Sequence, residues 1–212
     1  MYELEATADV LIMTGQGKAS IDRRLLEVAP SGVKQSAERL DSIESTESTL
    51  VRTVLAGDTD TFGRLYELYA PLVHGVLLAR MPRSEVEDTV QEIFLHALRK
   101  LHTLRDANAF GPWIAMIARN RAMDFHRRSH ETVELSEDLK SLDASTSKAE
   151  EILAIIRTLP DAYRETLVLR LVEGMTGPEI AARTGLTAAS VRVNLHRGMK
   201  LLRTKLGFEE GS

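Results

Sequence analysis

From Leu50 onward, apolar positions recur at helical intervals, and no segment alternates singly as a half-buried strand would. LVRTVLAGDTDTFGRLYELYAPLVHGVLLARM reads as a short helix, a Gly-Asp turn and a longer helix. In SEVEDTVQEIFLHALRKLHTL, Val86, Val90, Ile93, Phe94, Ala97, Leu98 and Leu101 form a one-sided apolar stripe. Ser84 and Glu87 have the spacing of a capping box, which predicts the start of that helix. A polar loop, RDANAFG, leads into a third long helix, PWIAMIARNRAMDFHRRSH. Residues 131–150 lack an apolar face and are mostly acidic, which predicts a linker. Helices resume with EILAIIRTL and then DAYRETLVLRLVEG after Pro160. The expected fold is all-α, with small helical bundles over 50–130 and 151–208 joined by a flexible acidic linker. Residues 1–49, rich in Ser, Thr and Glu with weak periodicity, are expected to be a flexible extension, or a start placed too early with Met13 as a later candidate.

The C-terminal stretch GMTGPEIAARTGLTAASVRVNLHRGMKLLRTKL carries the sharpest local signals. Thr176 and Glu179 form a capping box, Gly185 stands where a helix needs a left-handed residue to end, and Thr187 can cap the next helix. Ile180, Leu186, Val191 and Leu195 are placed to pack the two helices together. This is helix-turn-helix spacing, in which the second helix enters the major groove. That helix bears Arg192, Arg197, Lys200, Arg203 and Lys205, with His196 and no acid. Its bases suit phosphates, and Ser190, Arg192, Val193, Asn194 and His196 are the candidates for base edges. A helical hairpin with a solvated basic face is the plainer alternative. The motif alone separates neither repressor nor activator from sigma factor.

Charge adds a constraint. The chain of 212 residues has a net charge of −4 and no cysteine, so disulfides and thiolate metal sites are excluded. The acids concentrate in the first 49 residues and the linker, leaving the C-terminal helix basic. No apolar run is long enough to span a membrane, and MYELEATADVLIM carries acids where a signal peptide carries bases, so a cytoplasmic protein without membrane insertion is expected. The histidines are scattered, and neither a phosphate loop nor a nucleophile elbow is present; no enzyme activity and no cofactor or metal are expected.

Two features of the first bundle carry chemistry. Asp88, Gln91, Glu92 and Leu95 share a helix face opposite much of the apolar stripe, either a solvated face or a docking surface for a basic partner. The segment from Arg105 to His130 mixes Phe110, Trp113 and Phe125 with Arg105, Arg119, Arg121, Arg127 and Arg128. Aromatics beside bases suit single-stranded nucleic acid, where rings stack on bases and cations meet phosphates. The alternative is that Trp113 and Phe125 belong to the core.

Taken in order, these segments resemble a sigma factor of bacterial RNA polymerase of the extracytoplasmic-function (ECF) type. EDTVQEIFLHALRKL resembles the D-x-x-Q-E-x-F helix of the family's region 2, through Asp88, Gln91, Glu92 and Phe94. AFGPWIAMIARNRAMDFHRR resembles its FxxWLxxIARNxxxDxxRR pattern, and the segment from Leu159 to Leu206 resembles region 4. The resemblance implies a transcription initiation factor with no catalytic residue of its own. It implies core-polymerase binding, at the β′ clamp helices, through Asp88, Gln91, Glu92 and Leu95. It implies capture of the unpaired −10 strand through Arg105, Asn108, Phe110, Trp113, Arg119, Asn120, Arg127 and Arg128. It implies reading of the −35 duplex through Ser190, Arg192, Val193, Asn194, His196, Arg197 and Lys200, with docking near the β flap. An anti-sigma factor is the implied regulatory partner. Two departures stand out: Val193-Asn194 follows Arg192 where the family usually carries a basic or Ser-Arg pair, and Gly198 replaces its usual Ala, at about 1 kcal/mol of helix propensity. The competing readings are a sigma mimic that sequesters an anti-sigma factor, which should have lost its DNA-binding bases, and a stand-alone helix-turn-helix regulator, which leaves the region 2 pattern unexplained.

Overall fold

The computed structural model describes residues 11–13, 19–21, 47–133 and 148–207, with side chains over 47–128 and 148–207. Most of the expected extension and linker therefore lies outside the described residues. Two three-residue strands, β1 (Leu11–Met13) and β2 (Ala19–Ile21), pair antiparallel with Ile12 opposite Ser20. No strand was expected there. Three residues are too few to show alternation in the sequence.

All the other described elements are helical. Helix α1 covers residues 47–55; α2 is Phe62–Leu78, α3 Arg83–Lys100 and α4 Phe110–Val133. Single 3-10 turns, Leu101–Thr103 and Ala107–Ala109, connect α3 to α4. The second half contains α5 (Lys148–Arg157), α6 (Asp161–Leu171), α7 (Gly177–Thr184) and α8 (Ala188–Lys205).

The capping expectations divide. At α7, Thr176 accepts from the Glu179 backbone N–H while the Glu179 carboxylate accepts from that of Thr176, completing the box. Gly185 ends the helix at φ 76°, in the left-handed region that glycine enters without cost. Thr187 caps α8 by accepting from the Ser190 N–H at 3.0 Å. At α3 the expected box is corrected. The helix begins at Arg83 behind Pro82, whose φ of −57° already suits a helix entrance, so Ser84 falls inside the first turn and makes no cap bond. Helix α4 likewise begins at Phe110 rather than Pro112, because Asp106 accepts from the Asn108 N–H and winds the polar loop into a turn that leads straight into it.

The apolar stripe of α3 is buried as its spacing predicts: Val86, Val90, Ile93, Phe94 and Ala97 face inward. Phe94 meets Phe62 edge-on at 6.2 Å and Tyr66 at 4.6 Å. The two halves do not remain separate, however. A continuous apolar core runs from Leu50 through α2, α3 and α4 into Ile156, Leu167, Ile180 and Leu202. Helix α6 lies between α2 and α8, and α7 packs on α4. Leu167, Val168 and Leu169 are all buried, and three consecutive residues cannot share one helical face; α6 is covered on more than one side.

Gly75 and Gly198 sit in helix interiors where side chains have no room. A Cβ at Gly75 would lie 2.7 Å from Leu169 Cδ2, and one at Gly198 would lie 3.1 Å from Leu167 Cγ. The propensity cost at Gly198 thus accompanies the close approach of α6 to α8.

Candidate nucleic-acid and polymerase interface

Helix α8 separates its two sides cleanly. Val191, Gly198 and Leu202 are buried against α6 and α7, while Arg192, Val193, His196, Arg197 and Lys200 are exposed. Ser190 is exposed and its hydroxyl meets that of Thr187 at 2.8 Å; Asn194 is half-buried beside this surface. Arg192, Val193 and His196 lie in the N-terminal half of the helix, the part that a helix-turn-helix presents to base edges, and Arg197 and Lys200 follow in the C-terminal half. Val193, 40% exposed, is an apolar group on that surface. In a major groove such a group suits a thymine methyl.

On α3, Asp88, Gln91, Glu92 and Leu95 are all exposed, Leu95 at 55%. An apolar side chain among acids and an amide suits a docking face. Glu92 also forms an ion pair with Arg121 of α4, so it braces two helices as well as facing outward.

The Arg105–Arg128 segment is more divided. Arg105, Asn108 and Asn120 are exposed, and the Asn108 side-chain amide donates to Asp106 at 2.9 Å. Arg127 and Arg128 project from the far end of α4, Arg127 3.1 Å from Asp124. Trp113 is half-buried over the core. Phe110 corrects the expectation of a DNA contact: it is 1% exposed, with its ring 4.8 Å from Tyr69 and 5.8 Å from Trp113. It supports the surface from beneath. Large exposed apolar residues on this helix are instead Met116 and Met123, flanking Asn120 at one turn on either side.

Arg119 is not free to meet a phosphate. Its Nε and Nη2 donate to Glu165 of α6 at 3.0 and 2.7 Å, and Arg80 approaches the same carboxylate at 2.7 Å. Burial pushes the Glu165 carboxyl up, but the Arg119 hydrogen bond and the charges of Arg80 and Arg119 outweigh it and hold the group below the ordinary value. The hydrogen bond to Glu165 raises Arg119 against its own desolvation. Nearby, His74 Nδ1 meets Glu173 at 2.7 Å, and that bond raises the imidazole against its desolvation. Arg157 donates to the carbonyls of Leu78 and Met81 at 3.0 and 2.7 Å, closing the end of α2. Arg183 donates to the Leu68 carbonyl at 2.9 Å and lies 5.7 Å from the centre of the Tyr69 ring.

Sequence reasoning missed this set of Arg80, Glu165, His74, Glu173, Arg157 and Arg183. Each looks like an ordinary surface charge within its own stretch of sequence. The available signals were indirect: Gly75 within a helix, and the all-round apolar run Leu167–Leu169.

With this geometry in place, the chain can be set beside known proteins. A family model described as Sigma-70 region 2 matches residues 65–132, and one described as Sigma-70, region 4 matches residues 149–202. The chain is 34% identical over 161 residues to RNA polymerase sigma factor CarQ of Myxococcus xanthus, covering 71% of this chain and 92% of that protein. It is 30% identical over 201 residues to ECF RNA polymerase sigma factor SigD of Mycobacterium tuberculosis, covering 85% and 90%. Among solved structures, CnrH in complex with the cytosolic domain of CnrY matches at TM-score 0.54 and 24% identity, covering 77% of this chain and 99% of that one. The sigma factor RpoE in complex with the anti-sigma factor NepR from Bartonella quintana matches at 0.51 and 17%, covering 70% and 98%. These two likenesses speak to the fold. The chain belongs to the ECF type of the sigma-70 family of RNA polymerase sigma factors.

Among the described residues no helix is long and apolar enough to cross a membrane.

Proposed function

We propose that this chain binds core RNA polymerase in the cytoplasm, directs it to specific promoters and helps melt their −10 element. The observation that carries this reading is the presence, on one sigma-family chain, of two unlike exposed surfaces that both carry basic side chains. Helix α8 presents Arg192, Val193, His196, Arg197 and Lys200 on a capped helix-turn-helix, suited to duplex DNA at −35. Helix α4 presents Asn120, Arg127 and Arg128 beside Trp113, Met116 and Met123, suited to an unpaired strand at −10. Unpairing and flipping a base costs a few kcal/mol, which a shaped surface has to offset. Asp88, Gln91 and Leu95 are the proposed polymerase contacts at the β′ clamp helices, with region 4 near the β flap. The proposed regions are 50–130 and 151–208, joined by 131–150. An anti-sigma factor is the proposed inhibitory partner, in keeping with the complex of RpoE with the anti-sigma factor NepR.

The test is run-off transcription with sigma-free core polymerase and a promoter library. Specific transcripts that require this protein are expected. Duplex binding by the protein alone, with no polymerase-dependent transcript, would sink the reading.

A further inference from the structure

We propose that the thioethers of Met116 and Met123 are a reversible oxidation site, at which a hydroperoxide turns an apolar face of α4 polar and weakens its hold on the −10 strand. The inference rests on the proposed promoter-binding function and adds a chemical control on that same surface.

Three observations carry it. The first is placement. Met116, Asn120, Met123 and Arg127 stand at i, i+4, i+7 and i+11, so they form one stripe along α4. All four are exposed. The inward side of the helix is held by Ile114, Ala115, Ala118 and Ala122, all fully buried, so a change at the two sulfurs leaves its packing alone. The second is selectivity. The chain has seven methionines and no cysteine, so its sulfur chemistry is that of thioethers. Exposure sorts them: Met81 is 2% and Met175 5% exposed, whereas Met116 is 49% and Met123 60%. Met199 is half-buried. Among the described side chains, an oxidant arriving from solvent therefore meets Met116 and Met123 first.

The third is what a sulfoxide does at these positions. A thioether is soft and polarizable, and it lies against an aromatic ring without needing a hydrogen bond. Its sulfoxide is polar. Covering that oxygen with a base costs free energy unless a donor reaches it. The donors one turn away are the Asn120 amide, between the two methionines, and the Arg127 guanidinium, beyond Met123. Donors drawn to the sulfoxide are withdrawn from the strand, so oxidation removes an apolar contact and competes for the polar ones. The step balances without a cofactor. The sulfur lone pair attacks the terminal oxygen of the hydroperoxide, and the S–O bond forms as the O–O bond breaks. The leaving oxygen takes up the proton and departs as water or an alcohol. Sulfur is oxidised by two electrons and the peroxide reduced by two. A dithiol-dependent reductase reverses the change, giving back the thioether with water and a disulfide.

The test treats the full-length protein with hydrogen peroxide, removes the peroxide and only then adds untreated core polymerase. Peptide mass spectrometry gives the sulfoxide occupancy of each methionine, and circular dichroism gives helix content. Core-polymerase affinity is measured on the same samples. So is binding of the resulting complex to a single-stranded −10 oligonucleotide, taken from a promoter selected by run-off. Met116 and Met123 should be oxidised before Met81 and Met175, with helix content and core affinity unchanged. Oligonucleotide binding should weaken by about fivefold or more, the lower end of what one stacked base is worth. Methionine sulfoxide reductase should restore it. The double variant Met116→Leu, Met123→Leu has similar side-chain volume and no sulfur there, so peroxide should leave its binding at its own starting value, whatever that value is. An equal loss in that variant overturns the proposal. So do sulfoxides at 116 and 123 without weaker binding, or oxidation of the buried methionines first. If the double variant does not fold, the reductase decides, and a loss it fails to reverse overturns the site. Run-off transcription by the untreated wild type separates the two claims. Transcripts with peroxide-insensitive binding defeat only the oxidation site, whereas no transcripts defeat the sigma reading and this proposal with it.

Discussion

Phe110 offers a quantitative check on the division between supporting and contacting residues. It sits at the start of α4 in a motif whose resemblance implies DNA contact, yet it is 1% exposed, with Tyr69 against it at 4.8 Å. Truncating a buried phenylalanine removes its transfer free energy and leaves a cavity, together about 3–5 kcal/mol. For a chain of this size each kcal/mol lowers Tm by about 2–4 °C, so Phe110→Ala should lower it by roughly 6–20 °C. Phe110→Leu, which refills most of the space, should cost less than about 1.5 kcal/mol. Thermal and urea unfolding followed by circular dichroism measure both. Phe110→Leu should also retain binding to the −10 oligonucleotide, because the ring is buried away from the surface. A loss below about 1 kcal/mol for the alanine variant would refute the burial. Near-native stability with impaired strand binding in the leucine variant would refute the supporting role.

Three further outcomes follow from the same geometry. Asp88→Arg should weaken core-polymerase binding at least about tenfold, as a reversed charge at a complementary interface does, with no change in Tm; unchanged affinity would show that the docking face lies elsewhere. Asp88 is the cleaner choice because Glu92→Arg also breaks the pair with Arg121. Replacing Arg192 and Lys200 by Ala should reduce the slope of log affinity against log salt on −35 duplex by about 1.8, roughly 0.9 for each phosphate no longer neutralised; an unchanged slope would remove both from the interface. His74 bears on pH. Its Glu173 hydrogen bond raises the imidazole above 6.5, so its contribution is complete below that value and is lost as pH rises through the higher folded value. The stability difference between wild type and His74→Gln should shrink from pH 6.5 upward, and a difference independent of pH would contradict the pairing.

What could be read from the chain differed by scale. The apolar stripe of α3, the capping box at Thr176 and Glu179, and the left-handed Gly185 each depend on residues within a few positions of one another, and each stands in the structure as its spacing predicts. Ser84 failed because a proline two positions earlier set the helix start, a local competition in which two signals overlapped. Phe110 failed because a loop aromatic and a core aromatic have the same spacing; burial by Tyr69 comes from a helix far earlier in the chain. Glu165 was illegible for the same reason, since its partners Arg80 and Arg119 are distant in sequence. Val193-Asn194 was visible as an oddity, and the exposure of Val193 on the outward face of α8 now gives it a place at the proposed base-reading surface.

The most direct measurement of the central claim is permanganate reactivity on a promoter selected by run-off. Thymines near −10 should become reactive only when this protein and core polymerase are both present, and Arg127→Ala with Arg128→Ala should diminish that reactivity. Reactive thymines with core polymerase alone, or none with both present, would contradict the account.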